Sequence, residues 1–283
     1  MSPHACVSKL QLACSLAITL WYNKIMREGL SLTQKNKAPT EIGMPIFDKK
    51  MHRVPGMQWV VDQSASHEDN TVNVLGQELL AKKGVFSPEF CVGSEFFTNT
   101  LLEKIKPGTH MLEIGPGTGI TSVLAAQKGA EVKAVDINPL AVENTLENAR
   151  RLRVEDKVKV FLGDIYDPLA EDEKFQVIYW NVPFGFADPD AELSTIQKAV
   201  FDPGYKSLQR FISEAHEHLA PGGKVYIGFS STLGDASSIQ KFADQNGFDV
   251  KIAKSFDYTE TRGGDKPLVI TYELFELSPQ TIN

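Results

Sequence analysis

His110-Met111-Leu112-Glu113-Ile114-Gly115-Pro116-Gly117-Thr118-Gly119-Ile120 sets the architecture of the chain. A short apolar run ends in three glycines at alternate positions, and a helix-forming stretch, Ile120–Gln127, follows. A brief apolar run bounded by glycine is the pattern of a buried strand. Glycines allow left-handed turns and close approach of the backbone to a neighbour. The segment therefore reads as strand, tight turn and helix. The same alternation continues outward. Strands are expected at 131–135, 158–161, 175–180, 224–229, 250–255 and 268–277, and helices at 140–153, 205–219 and 237–245. Alternating strands and helices predict an α/β fold, an open and mostly parallel sheet with helices on both faces. Only a loop, 258–266, separates the last two strands, so the last should run antiparallel.

In such sheets ligands bind beyond the carboxyl ends of the strands. Residues there deserve a chemical reading. The turn has the spacing G-x-G-x-G, whereas a dinucleotide fingerprint requires G-x-G-x-x-G, whose last position is Ile120 here. Glu113, just before the turn, would repel a pyrophosphate but could accept from an ammonium group. A nucleoside bearing an amino acid fits better than a dinucleotide. Asp136 ends the second strand, where a carboxylate can accept from both ribose hydroxyls, with Ile137 against the base. Asp164 ends the third strand, placed to accept from an exocyclic amine, with Ile165 flanking the ring.

Trp180-Asn181-Val182-Pro183-Phe184 ends the fourth strand. The Asn181 side-chain oxygen can accept from an amine or amide N–H. Pro183 shapes the turn so that a backbone carbonyl can point at the same nitrogen, and Phe184 offers a face for a planar group. Such a set would hold an sp² nitrogen with its lone pair directed at a methyl donor, and catalysis would be mostly positioning.

Residues 113–119, Asp136, Asp164 and 181–184 together resemble the motifs of class I S-adenosylmethionine-dependent methyltransferases, over about residues 84–277. Val135-Asp136-Ile137-Asn138-Pro139-Leu140-Ala141-Val142 is similar to the "small" methyltransferase group, which includes release-factor glutamine and ribosomal RNA guanine methyltransferases. That group usually carries Asn-Pro-Pro-Tyr or Asn-Pro-Pro-Phe, where this chain has Val182 in second place. In that respect it is similar to ribosomal RNA adenine dimethyltransferases. The resemblance implies a seven-stranded Rossmann-like methyltransferase sheet and S-adenosyl-L-methionine as cofactor, with S-adenosyl-L-homocysteine as product. It also implies that Gly115, Gly117 and Gly119 pack on the cofactor, that Asp136 holds its ribose, and that Asn181, Pro183 and Phe184 position the target nitrogen.

Two domains are expected: a methyltransferase domain over 84–283, and an appendage over 1–83 with an N-terminal helix near 7–28, extended chain after it, a short strand at 58–62 and a strand or short helix at 71–80. The charge is split between them. Formal net charge is −7, but residues 1–60 carry eight Lys/Arg against three Asp/Glu, leaving 21 against 33 in the rest. A globally acidic chain is no general nucleic-acid coat, while its basic appendage suits recognition of an anionic partner or packing on the acidic domain. The apolar run 10–22 is too short to span a bilayer and lacks a small-residue cleavage site. Three cysteines, Cys6, Cys14 and Cys91, have no zinc spacing and suit a reducing compartment, so a cytoplasmic protein without metal or membrane span is expected. Phe86 and Pro88 could equally wall the site or pack in the core, and Phe186, Asp188 and Asp190 lie in a loop suited to substrate contact. Asp202 to Tyr205 could be a cap and turn. His216 and His218, at i,i+2, fall on different helix faces. The methyl acceptor, whether protein, RNA or small molecule, stays open. The rivals are a small-molecule methyltransferase, an NAD-dependent oxidoreductase and a cofactor-binding protein without catalysis.

Overall fold

The computed structural model describes residues 55–260 and 267–280. The helix expected near 7–28 lies outside the described residues. The first described element is helix α1 (Pro55–Ser66), followed by a hairpin of β1 (Asn70–Val74) and β2 (Gln77–Ala81). Helix α2 (Val92–Leu102) then leads to β3 (His110–Ile114), α3 (Ile120–Gln127), β4 (Glu131–Asp136), α4 (Pro139–Arg151) and β5 (Val158–Leu162). Next come β6 (Phe175–Asn181), β7 (Gly185–Ala187), α5 (Thr195–Lys198), β8 (Phe201–Pro203) and α6 (Lys206–Glu214). The chain continues with β9 (Leu219–Ser230), α7 (Ser237–Gln245), β10 (Phe248–Glu260) and β11 (Leu268–Pro279).

Seven strands form one sheet in the order β10-β11-β9-β6-β3-β4-β5. Neighbouring pairs are parallel except where β11 pairs with β10 and β9, so the last strand is antiparallel as its short approach loop requires. The reversal of strand order lies between β3 and β6, at the glycine turn. Both faces are covered. Leu208, Phe211 and Ile212 of α6 and Ile239, Phe242 and Ala243 of α7 join one core. Phe97 and Leu101 of α2, Val123 and Ala126 of α3 and Ala149 of α4 join the other. Strands buried on both faces read as near-continuous apolar runs, which is why β3 and β6 are so legible in sequence.

One expectation is corrected, and one pair of alternatives is decided. Residues 58–62, expected as a strand, lie in α1. Met57 and Val61, four apart, are buried against Val200, so helical spacing toward the core overrides the β-preference of Trp59-Val60-Val61. Residues 71–80, left open between strand and helix, form the β1–β2 hairpin, with Leu75 (φ +50°) and Gly76 (φ +77°) in the left-handed region at the turn. The short parallel pair of β7 and β8 has no clear sequence signal.

Buried asparagines of α4 tie β2 to the sheet domain. Asn148 Oδ1 accepts from Leu80 N (2.8 Å), and its Nδ2 donates to the carbonyls of Leu80 and Thr118, each at 2.8 Å. Asn144 Oδ1 accepts from Lys82 N (2.9 Å) and its Nδ2 donates to the Leu80 carbonyl (2.8 Å). Side-chain amides thus replace the partner strand that the outer backbone of β2 lacks. This anchorage sets the path of residues 82–90 toward the mouth of the glycine turn.

Candidate active site

One cavity of about 950 Å³ opens at the carboxyl ends of β3, β4, β5 and β6. It is lined by Glu113, Gly115, Gly117, Asp136, Ile137, Asp164, Ile165, Asn181, Pro183 and Phe184, so strand ends from four elements converge as the sequence implied. Gly119 is not among the wall residues, and it has a structural part. It caps α3 at φ +82°, and a Cβ there would lie 2.7 Å from Thr145 Cγ2. Left-handed geometry and this contact with α4 both demand glycine. Gly115 (φ +61°) makes room in the same way for the Trp180 indole, whose Nε1 would be 2.9 Å from an added Cβ.

The carboxylates differ in kind. Glu113 is buried and turned toward α3: its Oε2 accepts from Ser122 Oγ, and Thr121 also bonds its side chain. Burial raises its pKa to about 7, against the lowering effect of these bonds at a helix N-terminus. Asp136 is nine-tenths buried and accepts from Gly117 N (3.2 Å) and Asn138 N (2.9 Å); burial still lifts its pKa to about 6. Asp164 is half exposed, and its Oδ2 accepts from Arg210 Nη1 at 3.1 Å. Arg210 also bonds Asp167 and Glu214, and these anionic partners raise its pKa. This arginine, 46 residues away, was invisible to motif reading. Ile165 is buried in the left-handed region (φ +49°), unusual for a β-branched residue.

Asn181 carries a further signal. Its Oδ1 is buried on the cavity wall without a hydrogen-bond partner in the protein. Buried acceptors are nearly always paired, so an orphan on a residue of the cavity wall marks a place for a donor from outside. Phe184 stands beside it, edge-on to Phe97 (6.2 Å) and Phe229 (5.6 Å).

Phe86 and Pro88 line the cavity, joined by Met57, Trp59 and Val60 of α1 and by Ile196, Phe201 and Leu233. The loop residues Phe186, Asp188 and Asp190 are not part of its wall. Asp202 caps α6, accepting from Ser207 N (3.1 Å) and Leu208 N (2.9 Å). His216 stacks on Phe248 and His218 on Tyr166. Cys91 lies in the cavity wall, where burial pushes its thiol pKa up; Cys6 and Cys14 fall outside the described residues. Among the described residues, none cluster as a metal site, and no helix is long and apolar enough to cross a membrane.

A Rossmann-like sheet with β11 inserted antiparallel, a left-handed glycine turn and an amide acceptor at the end of β6 define a class I methyltransferase. Residues 76–250 match the family model of the methyltransferase small domain, and the chain belongs to that family. It is an S-adenosylmethionine-dependent methyltransferase. A putative protein N5-glutamine methyltransferase of Methanocaldococcus jannaschii is 37% identical over 147 residues, 50% of this chain and 72% of that protein. A release factor glutamine methyltransferase of Aquifex aeolicus is 26% identical, over 82% of this chain and 83% of that one. Among solved structures, the Thermus thermophilus 16S rRNA N2 G1207 methyltransferase in complex with AdoMet and guanosine superposes with a TM-score of 0.53 at 19% identity. It covers 75% of this chain and 50% of that one, and shares the fold.

Proposed function

We propose that this enzyme N-methylates a planar nitrogen, a glutamine side-chain amide of a protein in preference to a nucleobase amine. The buried, unpartnered Oδ1 of Asn181 carries this reading. An acceptor N–H donating to that oxygen would be satisfied, oriented and relieved of part of its positive charge, with Phe184 available to the plane of the amide. The similarity to two glutamine methyltransferases favours the amide over the base.

The cavity suits the cofactor through its donor set. Asp136 would hold the ribose hydroxyls, Gly115 and Gly117 would admit the amino-acid portion against bare backbone, and Ile137 and Ile165 would flank the base. Asp164, steadied by Arg210, would accept from the exocyclic amine. S-adenosylmethionine supplies an electrophilic methyl group on a sulfonium. The protein orients the nitrogen and excludes water with an apolar wall from α1, Phe86, Ile196 and Phe201. Met57, Trp59 and Val60 in that wall support a substrate-recognition part for the segment before residue 84, and a cytoplasmic setting fits a sparse, odd count of three cysteines.

The test uses extract from cells lacking the gene as acceptor and methyl-tritiated cofactor as donor, followed by mass spectrometry of the labelled species. Label on a glutamine amide is the expected result. Label confined to oxygen or carbon, or to metabolites, would overturn the reading.

A further inference from the structure

We infer that Tyr205 is a positioning residue for methyl transfer, fixing the acceptor turn through its hydroxyl. The inference rests on the reading that residues 181–184 hold the acceptor. The Tyr205 hydroxyl donates to the Phe184 carbonyl at 2.7 Å and accepts from Asp235 N at 2.9 Å. One buried group thereby links three segments: the turn after β6, the loop after β9, and the start of α6.

Three observations show that the fold is built around this contact. Tyr205 sits in the left-handed region (φ +52°, ψ +34°), a conformation that a bulky residue holds only when its surroundings enforce it. Its ring is clamped edge-on by Phe186 (5.4 Å) and Phe229 (6.2 Å). The Phe184 carbonyl oxygen also lies so close to Gly234 that a Cβ there would approach it to 2.3 Å. The carbonyl is thus confined by a donor and a bare glycine.

The consequence lies in the peptide planes. With its carbonyl held by Tyr205, the Phe184 peptide plane is fixed, and with it the path of the turn that follows Asn181. Its ring is held in the wall beside Asn181, and the Asp235 end of the bridge holds Leu233 in the same wall. Without the hydroxyl, the turn keeps its residues and loses its angular definition. Small misplacements at a reacting centre are costly in rate.

The test is Tyr205→Phe, which retains the ring and its packing. Methyl incorporation from tritiated S-adenosylmethionine into extract of cells lacking the gene is measured over a dilution series of extract, and S-adenosylhomocysteine binding by calorimetry. The expected result is a loss of roughly 10- to 100-fold in apparent kcat, with S-adenosylhomocysteine affinity changed less than about threefold. Gly234→Ala, whose Cβ would collide with the carbonyl oxygen, should reproduce the loss; if it does not fold, Tyr205→Phe decides alone. A lower Tm with apparent kcat unchanged in Tyr205→Phe would overturn the inference, as would a loss confined to cofactor binding. Asn181→Ala is run in parallel. Collapse of that variant with normal Tyr205→Phe defeats this inference alone, whereas full turnover by Asn181→Ala defeats the acceptor reading beneath it.

Discussion

Asn181 and Gly228 face each other across the parallel β6–β9 pair, and a Cβ on Gly228 would lie 3.2 Å from Asn181 Oδ1. The same Cβ would meet the Phe97 ring at 3.0 Å, and Phe97 is fully buried. The glycine therefore keeps clear the space around the orphan acceptor. In Gly228→Ala the buried ring cannot give way, and the amide is the softer neighbour. The variant should lose about 1–3 kcal/mol of stability by overpacking. It should also lose roughly tenfold in methyl transfer, with S-adenosylhomocysteine affinity little changed. Denaturant titration and tritium incorporation measure the two effects separately, and normal turnover would show that Oδ1 does not need that space.

Truncation of the acceptor itself is the stronger probe. Asn181→Ala removes the oxygen that would orient the nitrogen and leaves the glycine turn and the buried carboxylates in place. Cofactor binding should largely survive while methyl transfer falls by about two to four powers of ten, the scale of lost positioning. Single-turnover rates with prebound cofactor check this directly. A loss seen only in cofactor affinity would move Asn181 from the acceptor to the cofactor.

Asp136→Ala should do the reverse. Its carboxylate accepts from Gly117 N and Asn138 N and has a raised pKa, so it is a desolvated acceptor held at the cavity wall. Removing it should weaken S-adenosylmethionine by roughly 2–3 kcal/mol, as for lost hydrogen bonds to a charged group. Calorimetry at pH 7.5 measures this, and an unchanged dissociation constant would place the ribose elsewhere.

Much of this site was legible before any coordinates because the motif residues sit at strand ends, where sequence order and spatial order coincide. Glycine spacing, Asp136, Asp164 and Asn181 each follow a short apolar run, and parallel strands bring such ends to one edge. The unread parts depend on contacts distant in sequence. Trp59-Val60-Val61 has strand composition, yet packing of Met57 and Val61 makes it helical. Asn144 and Asn148 look like the solvent face of an amphipathic helix until the backbone of β2 is laid over them. Arg210 and Tyr205 belong to no motif, and their partners Asp164 and Phe184 lie 46 and 21 residues away. Glu113 is legible as a carboxylate before the turn, but the bonds it accepts from Ser122 and Thr121 in the first turn of α3 are not.

The Asn148 anchorage has a stability consequence. Its three hydrogen bonds are buried or nearly so, and Asn148→Ala would strand Leu80 N and the Thr118 carbonyl. Unsatisfied buried groups cost about 1–3 kcal/mol each, so the variant should lose roughly 2–4 kcal/mol. Hydrogen exchange should localise the opening to β1 and β2, with the amides of β3 and β6 still protected. Uniform loss of protection would instead show that the hairpin and the sheet unfold as one unit.

Cofactor binding should be linked to protons. The pKa of Glu113 is raised from 4.5 to about 7 and that of Asp136 from 3.8 to about 6, each chiefly by burial. A raised carboxylate binds more protons folded than unfolded, so these two groups make the free protein less stable as pH climbs from about 4 to 7. A ligand carrying an ammonium and a sulfonium favours both ionised forms, so binding must expel protons in the window where the free carboxyls are partly protonated. S-adenosylmethionine affinity should therefore rise from pH 5.5 to 7.5 and level off above. At pH 6.5, calorimetry in buffers of different ionisation enthalpy should show net proton release. Asp136→Asn should reduce that release, and the part left belongs to Glu113. An observed enthalpy independent of buffer would mean that both carboxyls are already ionised, or that the cations of the cofactor do not reach them.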